Sequence, residues 1–105
     1  MATCLVALPL IANAGGSASN GKKLVGLDGK GCAACHGEDG NSTIPTFPIL
    51  AGQYEDYLVQ AMEQYRSGAR NNQNMRAPAQ SLSDQEIADI AAWFSSQKSK
   101  LQYVK

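Results

Sequence analysis

Histidine is all but missing from this 105-residue chain: there is one, His36. Ligation of a metal by two imidazoles of the same chain is thereby excluded. Excess charge is missing too, because nine Lys and Arg offset nine Asp and Glu for a formal net charge of zero. That removes the electrostatic case for nucleic acid and gives no global preference for an acidic or a basic partner. The apolar stretch from Leu5 to Ile11 is too short to span a bilayer. No segment alternates as half-buried strands do, and there are no repeats or low-complexity tracts. Cysteine is scarce, with Cys4, Cys32 and Cys35 only. What is there has the length of one small domain, a size that is often helped by a disulfide, a metal or another staple.

The first residues form a unit of their own. Leu5 to Ile11 is apolar, Ala12-Asn13-Ala14 offers a small-x-small site, and Gly15 to Ser19 is small and polar. This order predicts a secretory leader over residues 1–14, cleaved after Ala14, with residues 15–105 as the exported working domain. No Lys or Arg precedes the apolar run, so the leader is either atypical or begins upstream. Cys4 comes before that run, which argues against a lipoprotein anchor there. With Cys4 removed, the disulfide reading leaves only a local Cys32–Cys35 bond.

Three helical stretches are predicted in the remainder, which gives an all-α fold with long loops. The first begins near Ser19 or Asn20, carries Gly21, Leu24 and Val25 on one face and stops near Asp28-Gly29. The second covers Tyr54 to Ser67, with Tyr54, Tyr57, Leu58, Ala61 and Tyr65 at helical spacing and Gly68 placed to end it. The third begins at the capping box of Ser83 and Glu86 and presents Ile87, Ile90, Ala91 and Phe94 as its apolar face. Residues 37–53 and 69–82 read as irregular. Loops this long in a compact domain need a reason, and wrapping a large flat cofactor is one.

Chemistry concentrates in Gly31-Cys32-Ala33-Ala34-Cys35-His36-Gly37. Cys-x-x-Cys-His is the attachment signature of c-type haem. Two intervening residues let both thiols add to neighbouring vinyl groups on one porphyrin edge, and the next residue brings its imidazole to the iron. A thioredoxin-like redox pair needs a βαβ context that the sequence lacks. Zinc needs two further ligands, and the working domain has no other His or Cys.

Six-coordinate iron needs a second axial ligand, and methionine is the natural one. Met1 lies in the leader. Met62 sits between apolar positions of the second helix, where a methionine is ordinarily core filler. Met75, in the Asn-rich stretch before Pro78, reads as a loop methionine without a packing role and is the predicted ligand. The His36 ring should donate its other N–H to an acceptor. Pro48 and Pro45 each offer a carbonyl without a competing N–H, and Pro48 is the better placed. Arg66, Arg70 and Arg76 flank Met75 and are candidates for haem propionates or an acidic partner, Arg66 first among them; Arg70 reads best as an ordinary solvated charge. Tyr54, Tyr57, Tyr65 and Trp93 are candidates for the pocket wall or for plain core packing.

Cys32-x-x-Cys35-His36-Gly37-x-Asp39-Gly40 resembles the class I bacterial cytochromes c, of the small c553 type or a single domain of the dihaem c4 type. The likeness continues through Phe47-Pro48-x-Leu50-Ala51-Gly52-Gln53, Tyr57-Leu58, Tyr65-Arg66-x-Gly68-x-Arg70, Met75, Leu82 to Ala88 and Ala91-Ala92-Trp93-Phe94. One departure is Asn74, where such proteins often carry Met-rich text. The resemblance implies the class I cytochrome c fold around one covalent haem c. Its N-terminal helix would cross its C-terminal helix, bringing Leu24 and Val25 against Ile90 and Phe94. His36 and Met75 would be the axial iron ligands, with the carbonyl of Pro48 behind His36. It further implies single-electron transfer between larger redox complexes in the periplasm; the chain is expected to be a monomer that meets its partners transiently and transforms no substrate. A haem-based sensor with an open sixth position, or a cytochrome subunit of a larger dehydrogenase or oxidase, are the competing functions.

Overall fold

The computed structural model describes residues 15–26, 28–43 and 48–100. Five helices follow one another within them: α1 Ala18–Val25, α2 Ala33–His36, α3 Glu55–Ser67, α4 Gln73–Gln80 and α5 Asp84–Ser95. Among the described residues there is no strand, so the all-α expectation holds. The leader with Met1 and Cys4 lies outside the described residues, as do Pro45 and Phe47.

Helix α1 starts earlier than its sequence suggests. Ser17, not Ser19 or Asn20, is the N-cap, and its Oγ accepts from the Asn20 N–H at 3.2 Å. The reason is tertiary, because the Ser17 N–H donates to Asp89 Oδ1 of α5 at 2.8 Å and fixes the chain at that residue. The helix also stops sooner, at Val25, where a turn closes with the Lys30 N–H on the Leu24 carbonyl at 2.6 Å. Helix α3 ends where expected. Gly68 takes φ 90°, which a side chain would resist, and its N–H reaches the Gln64 carbonyl at 3.0 Å. The capping box of α5 is formed on both sides: the Glu86 N–H donates to Ser83 Oγ at 3.1 Å, and the Ser83 N–H donates to Glu86 Oε1 at 2.9 Å.

The stretch 69–82 corrects the sequence reading. It contains α4, and Met75 lies on that helix rather than in a loop. Asn72 caps it, its Oδ1 accepting from the N–H groups of Asn74 at 2.9 Å and Met75 at 3.2 Å. Pro78 removes one N–H from a two-turn helix, and fully buried Ala79 anchors the element to the core. Asn- and Gln-rich text around a proline shows no apolar period, so packing rather than propensity carries this helix.

The core gathers Val25, Leu58, Met62, Leu82, Ile87, Ile90, Ala91 and Phe94, with Leu24 partly buried against it. Burying side chains the size of Phe94 and Ile90 stabilises by about 1.5–3 kcal/mol each. Helix α1 packs against α5, and α3 packs on both α4 and α5. The α1–α5 approach is close enough that two glycines on the N-terminal side, Gly16 and Gly21, face backbone of α5 directly.

Asn41 ties the loop after His36 to the chain beyond α5. Its N–H and Nδ2 donate to Asp39 at 3.0 Å each, Nδ2 also reaches the Lys98 carbonyl at 3.0 Å, and its Oδ1 accepts from the Lys100 N–H at 2.7 Å. These bonds, with that of the side-chain amide first, hold the Asp39 carboxyl below the ordinary carboxylate range. Removing a buried group so fully bonded strands its partners, so Asn41→Ala is expected to cost about 2–3 kcal/mol, read as a lowered midpoint in denaturant unfolding.

Candidate functional site

Helix α2 is a single turn, and that turn is the point of the motif. The N–H groups of Cys35 and His36 bond the Cys32 carbonyl at 3.2 and 3.0 Å. Positions i, i+3 and i+4 of a helical turn share one face, so Cys32, Cys35 and His36 project together. Gly37 follows at φ 84°, a conformation disfavoured for side chains, and releases the chain from the turn.

All three line a cavity of about 410 Å³, within the size range of small-molecule and cofactor sites. Its walls are mainly apolar. Ile49, Leu50 and Leu58 contribute from the loop and α3, Ala61 and Met62 from α3, and Ile90 and Phe94 from α5. Pro48, Met75, Tyr57 and Tyr65 border the same space. The structure therefore brings Cys32, Cys35, His36, Pro48 and Met75 to one cavity. It brings Met62 there as well, so both described methionines face it, and the loop argument that separated them does not survive the helical placement of Met75.

His36 is buried, and its Nδ1 lies 3.0 Å from the Pro48 carbonyl. A carbonyl only accepts, so Nδ1 is the donor, and Nε2 is the ring nitrogen left to face a metal. Cys32 and Cys35 are free thiols rather than a disulfide. Burial pushes the Cys32 thiol up, and neighbouring Cys35 adds to this. Its backbone hydrogen bond and Lys30 pull the other way.

Other candidates sit elsewhere. Arg66 donates to the Leu82 carbonyl at 3.0 Å and pairs with Asp84 at 2.7 Å, bracing α3 against the start of α5 away from the cavity wall. Tyr54 is 80% exposed and outside the cavity. Trp93 is outside it too, with Nε1 donating to the Glu38 carbonyl at 2.7 Å. Asn72 and Asn74 border the cavity, and sequence reasoning missed both. The signal for Asn72 was its place as an N-cap residue ahead of Met75.

Among the described residues no three His, Cys, Asp or Glu side chains gather as a metal site, which leaves zinc without a ligand set. Among the described residues no helix is long and apolar enough to cross a membrane. Two thiols, an imidazole nitrogen and a thioether around an apolar cavity fit a covalently held haem.

Comparison with known proteins points to the same cofactor class. The family model for cytochrome c matches residues 18–98. The chain is 47% identical over 88 residues to cytochrome c4 of Pseudomonas aeruginosa, a match covering 84% of this chain and 42% of that protein. It is 44% identical over 86 residues to cytochrome c-554(548) of Halomonas halodenitrificans, covering 79% of this chain and 99% of that protein. The crystal structure of reduced recombinant cytochrome c4 from Pseudomonas stutzeri superposes with a TM-score of 0.75 at 40% identity, covering 86% of this chain and 50% of that one. The chain thus spans about half the length of these cytochromes c4.

Proposed function

This chain belongs to the cytochrome c family, whose members hold haem c covalently, and from that premise we propose that it is an exported single-haem carrier of electrons between larger redox proteins. One observation carries the reading: on one cavity, His36 stands beside both thiols of its motif with Nδ1 donating to the Pro48 carbonyl at 3.0 Å. An imidazole so held is fixed in tautomer and direction, and its Nε2 is made more basic as an iron ligand.

When bound, the haem supplies one-electron exchange between Fe(III) and Fe(II) and needs no general base. The chain's own residues do the rest. Cys32 and Cys35 hold the porphyrin edge by thioether bonds. His36 would offer the iron an imidazole nitrogen and Met75 a thioether sulfur, a pair that raises the reduction potential. Phe94, Ile90 and Leu58 keep the interior of the cavity dry, which disfavours the more highly charged ferric form. Partners meet this small protein transiently, as electron-transfer encounters use small interfaces. Residues 1–14 are proposed as a leader removed after Ala14, with the periplasm as the working compartment.

Intact mass of the protein purified from the periplasm of a host that matures cytochromes c tests this. The expected mass is that of residues 15–105 plus one haem, surviving acid–acetone extraction. Cys32→Ser with Cys35→Ser should remove the haem from the mass. A wild-type chain without covalent haem would overturn the proposal.

A further inference from the structure

Arg70 is not the solvated charge its sequence position suggests. The left-handed turn at Gly68 folds the chain back on α3, and the Arg70 N–H donates to the Gln64 carbonyl at 3.1 Å. Its Nε donates to Gln64 Oε1 at 3.3 Å. So anchored twice, the half-buried guanidinium lies 5.5 Å from the centre of the Tyr65 ring and 5.8 Å from that of Tyr57. Both distances are within cation–π reach. Tyr57 and Tyr65 are two turns apart on α3, which places them on one side of the helix. Both border the cavity that holds Cys32, Cys35 and His36. Tyr57 is also 43% exposed, so it stands between that cavity and solvent.

We propose that Arg70 is a positioning residue of the cofactor pocket: its guanidinium, laid across the Tyr57 and Tyr65 rings, holds both as the outer wall that keeps water from the cofactor. This rests on the haem reading above. The planar, delocalised guanidinium stacks on ring faces while Gln64 keeps it oriented, and the compact ammonium of lysine does neither. Arginine and lysine carry the same charge, so the two substitutions Arg70→Lys and Arg70→Gln separate the clamp from the charge. Opening the wall lets water solvate the ferric form, which lowers the reduction potential.

The test uses the matured holoprotein, with the reduction potential and the NMR line shapes of the Tyr57 and Tyr65 ring protons as readouts. Arg70→Lys and Arg70→Gln are both expected to lower the potential to a similar extent and to speed the flipping of both rings. A lysine variant at the wild-type potential, with the glutamine variant lowered, would show that charge rather than the clamp acts. Two variants indistinguishable from wild type would overturn the proposal equally. Should neither Arg70 variant fold, Tyr57→Phe and Tyr57→Ser take their place. The phenylalanine keeps the ring face and should hold the wild-type potential, the serine should lower it, and equal potentials in the two would refute the wall. A wild-type protein isolated without haem would sink the functional reading instead, and the ring line shapes of Arg70→Lys against wild type would still report on the clamp.

Discussion

Met75→Ala is expected to abolish the near-infrared charge-transfer band of sulfur-ligated ferric haem, to open the iron to carbon monoxide when reduced, and to lower the reduction potential by a sizeable part of the ~0.8 V that axial ligands span. Met62→Ala is expected to keep the band. The two methionines face the same cavity but sit differently. Met62 is 8% exposed and belongs to the central core cluster with Leu58, Ile87 and Ile90. Its truncation leaves a void, at about 2–4 kcal/mol, with the ligand unchanged. Met75 lies outside that cluster on a short helix whose first turn is pinned by the Asn72 side chain at the Met75 N–H itself. An exchange of the two outcomes, with the band lost in Met62→Ala, would assign the iron to α3 and refute the assignment to α4. Optical spectra of both variants, oxidised and reduced, decide it.

Gly21→Val is expected to destabilise the protein by about 3 kcal/mol or more, at the upper end of what overpacking a core costs, and so to remove much of the stability of a small domain. A Cβ at Gly21 would lie 2.0 Å from the Asp89 carbonyl oxygen and 2.8 Å from the Trp93 Cβ. The first of these is backbone of α5, which cannot swing aside as a side-chain tip does. Helices α1 and α5 would have to separate, drawing Val25 away from the core cluster it shares with Ile90 and Phe94. The Ser17–Asp89 bond would go as well. Gly26→Ala is the matched control: its φ is −63°, and a Cβ there meets nothing nearer than the Lys23 carbonyl oxygen at 3.5 Å. Thermal unfolding followed by far-ultraviolet circular dichroism should show a large fall for Gly21→Val and little change for Gly26→Ala. A Gly21→Val protein as stable as wild type would mean the two helices do not cross this closely.

The parts of this molecule that were legible in the sequence are those decided locally. The capping box at Ser83 and Glu86 and the apolar face of α5 are written in steps of four residues or fewer. The end of α3 at Gly68 is equally local. The clustering of Cys32, Cys35 and His36 follows from one helical turn. Pro48 was legible through what it lacks, an N–H. Other features depend on partners distant in sequence. Gly21 was legible as part of one helix face, but that only glycine fits there shows once α5 is laid against it. Asp89 carries no local mark of burial, yet it is 4% exposed and accepts from the Ser17 N–H and from Gln85. Helix α4 has no apolar period to reveal it. It exists because Asn72 caps it and Ala79 finds the core. Arg70 was misread for a related reason: its aromatic partners lie on another element, reached only through the Gly68 turn.

A stepwise redox titration of the purified, matured wild-type protein, followed by its visible spectrum and completed by exposing the reduced form to carbon monoxide, tests the electron-carrier reading most directly. The expected result is one reversible, one-electron Nernstian transition with fixed isosbestic points, and a reduced protein that leaves carbon monoxide unbound because His36 and Met75 occupy both axial positions. Rapid carbon monoxide binding by the reduced wild type, or a transition that does not reverse, would contradict it and favour a ligand-binding module instead.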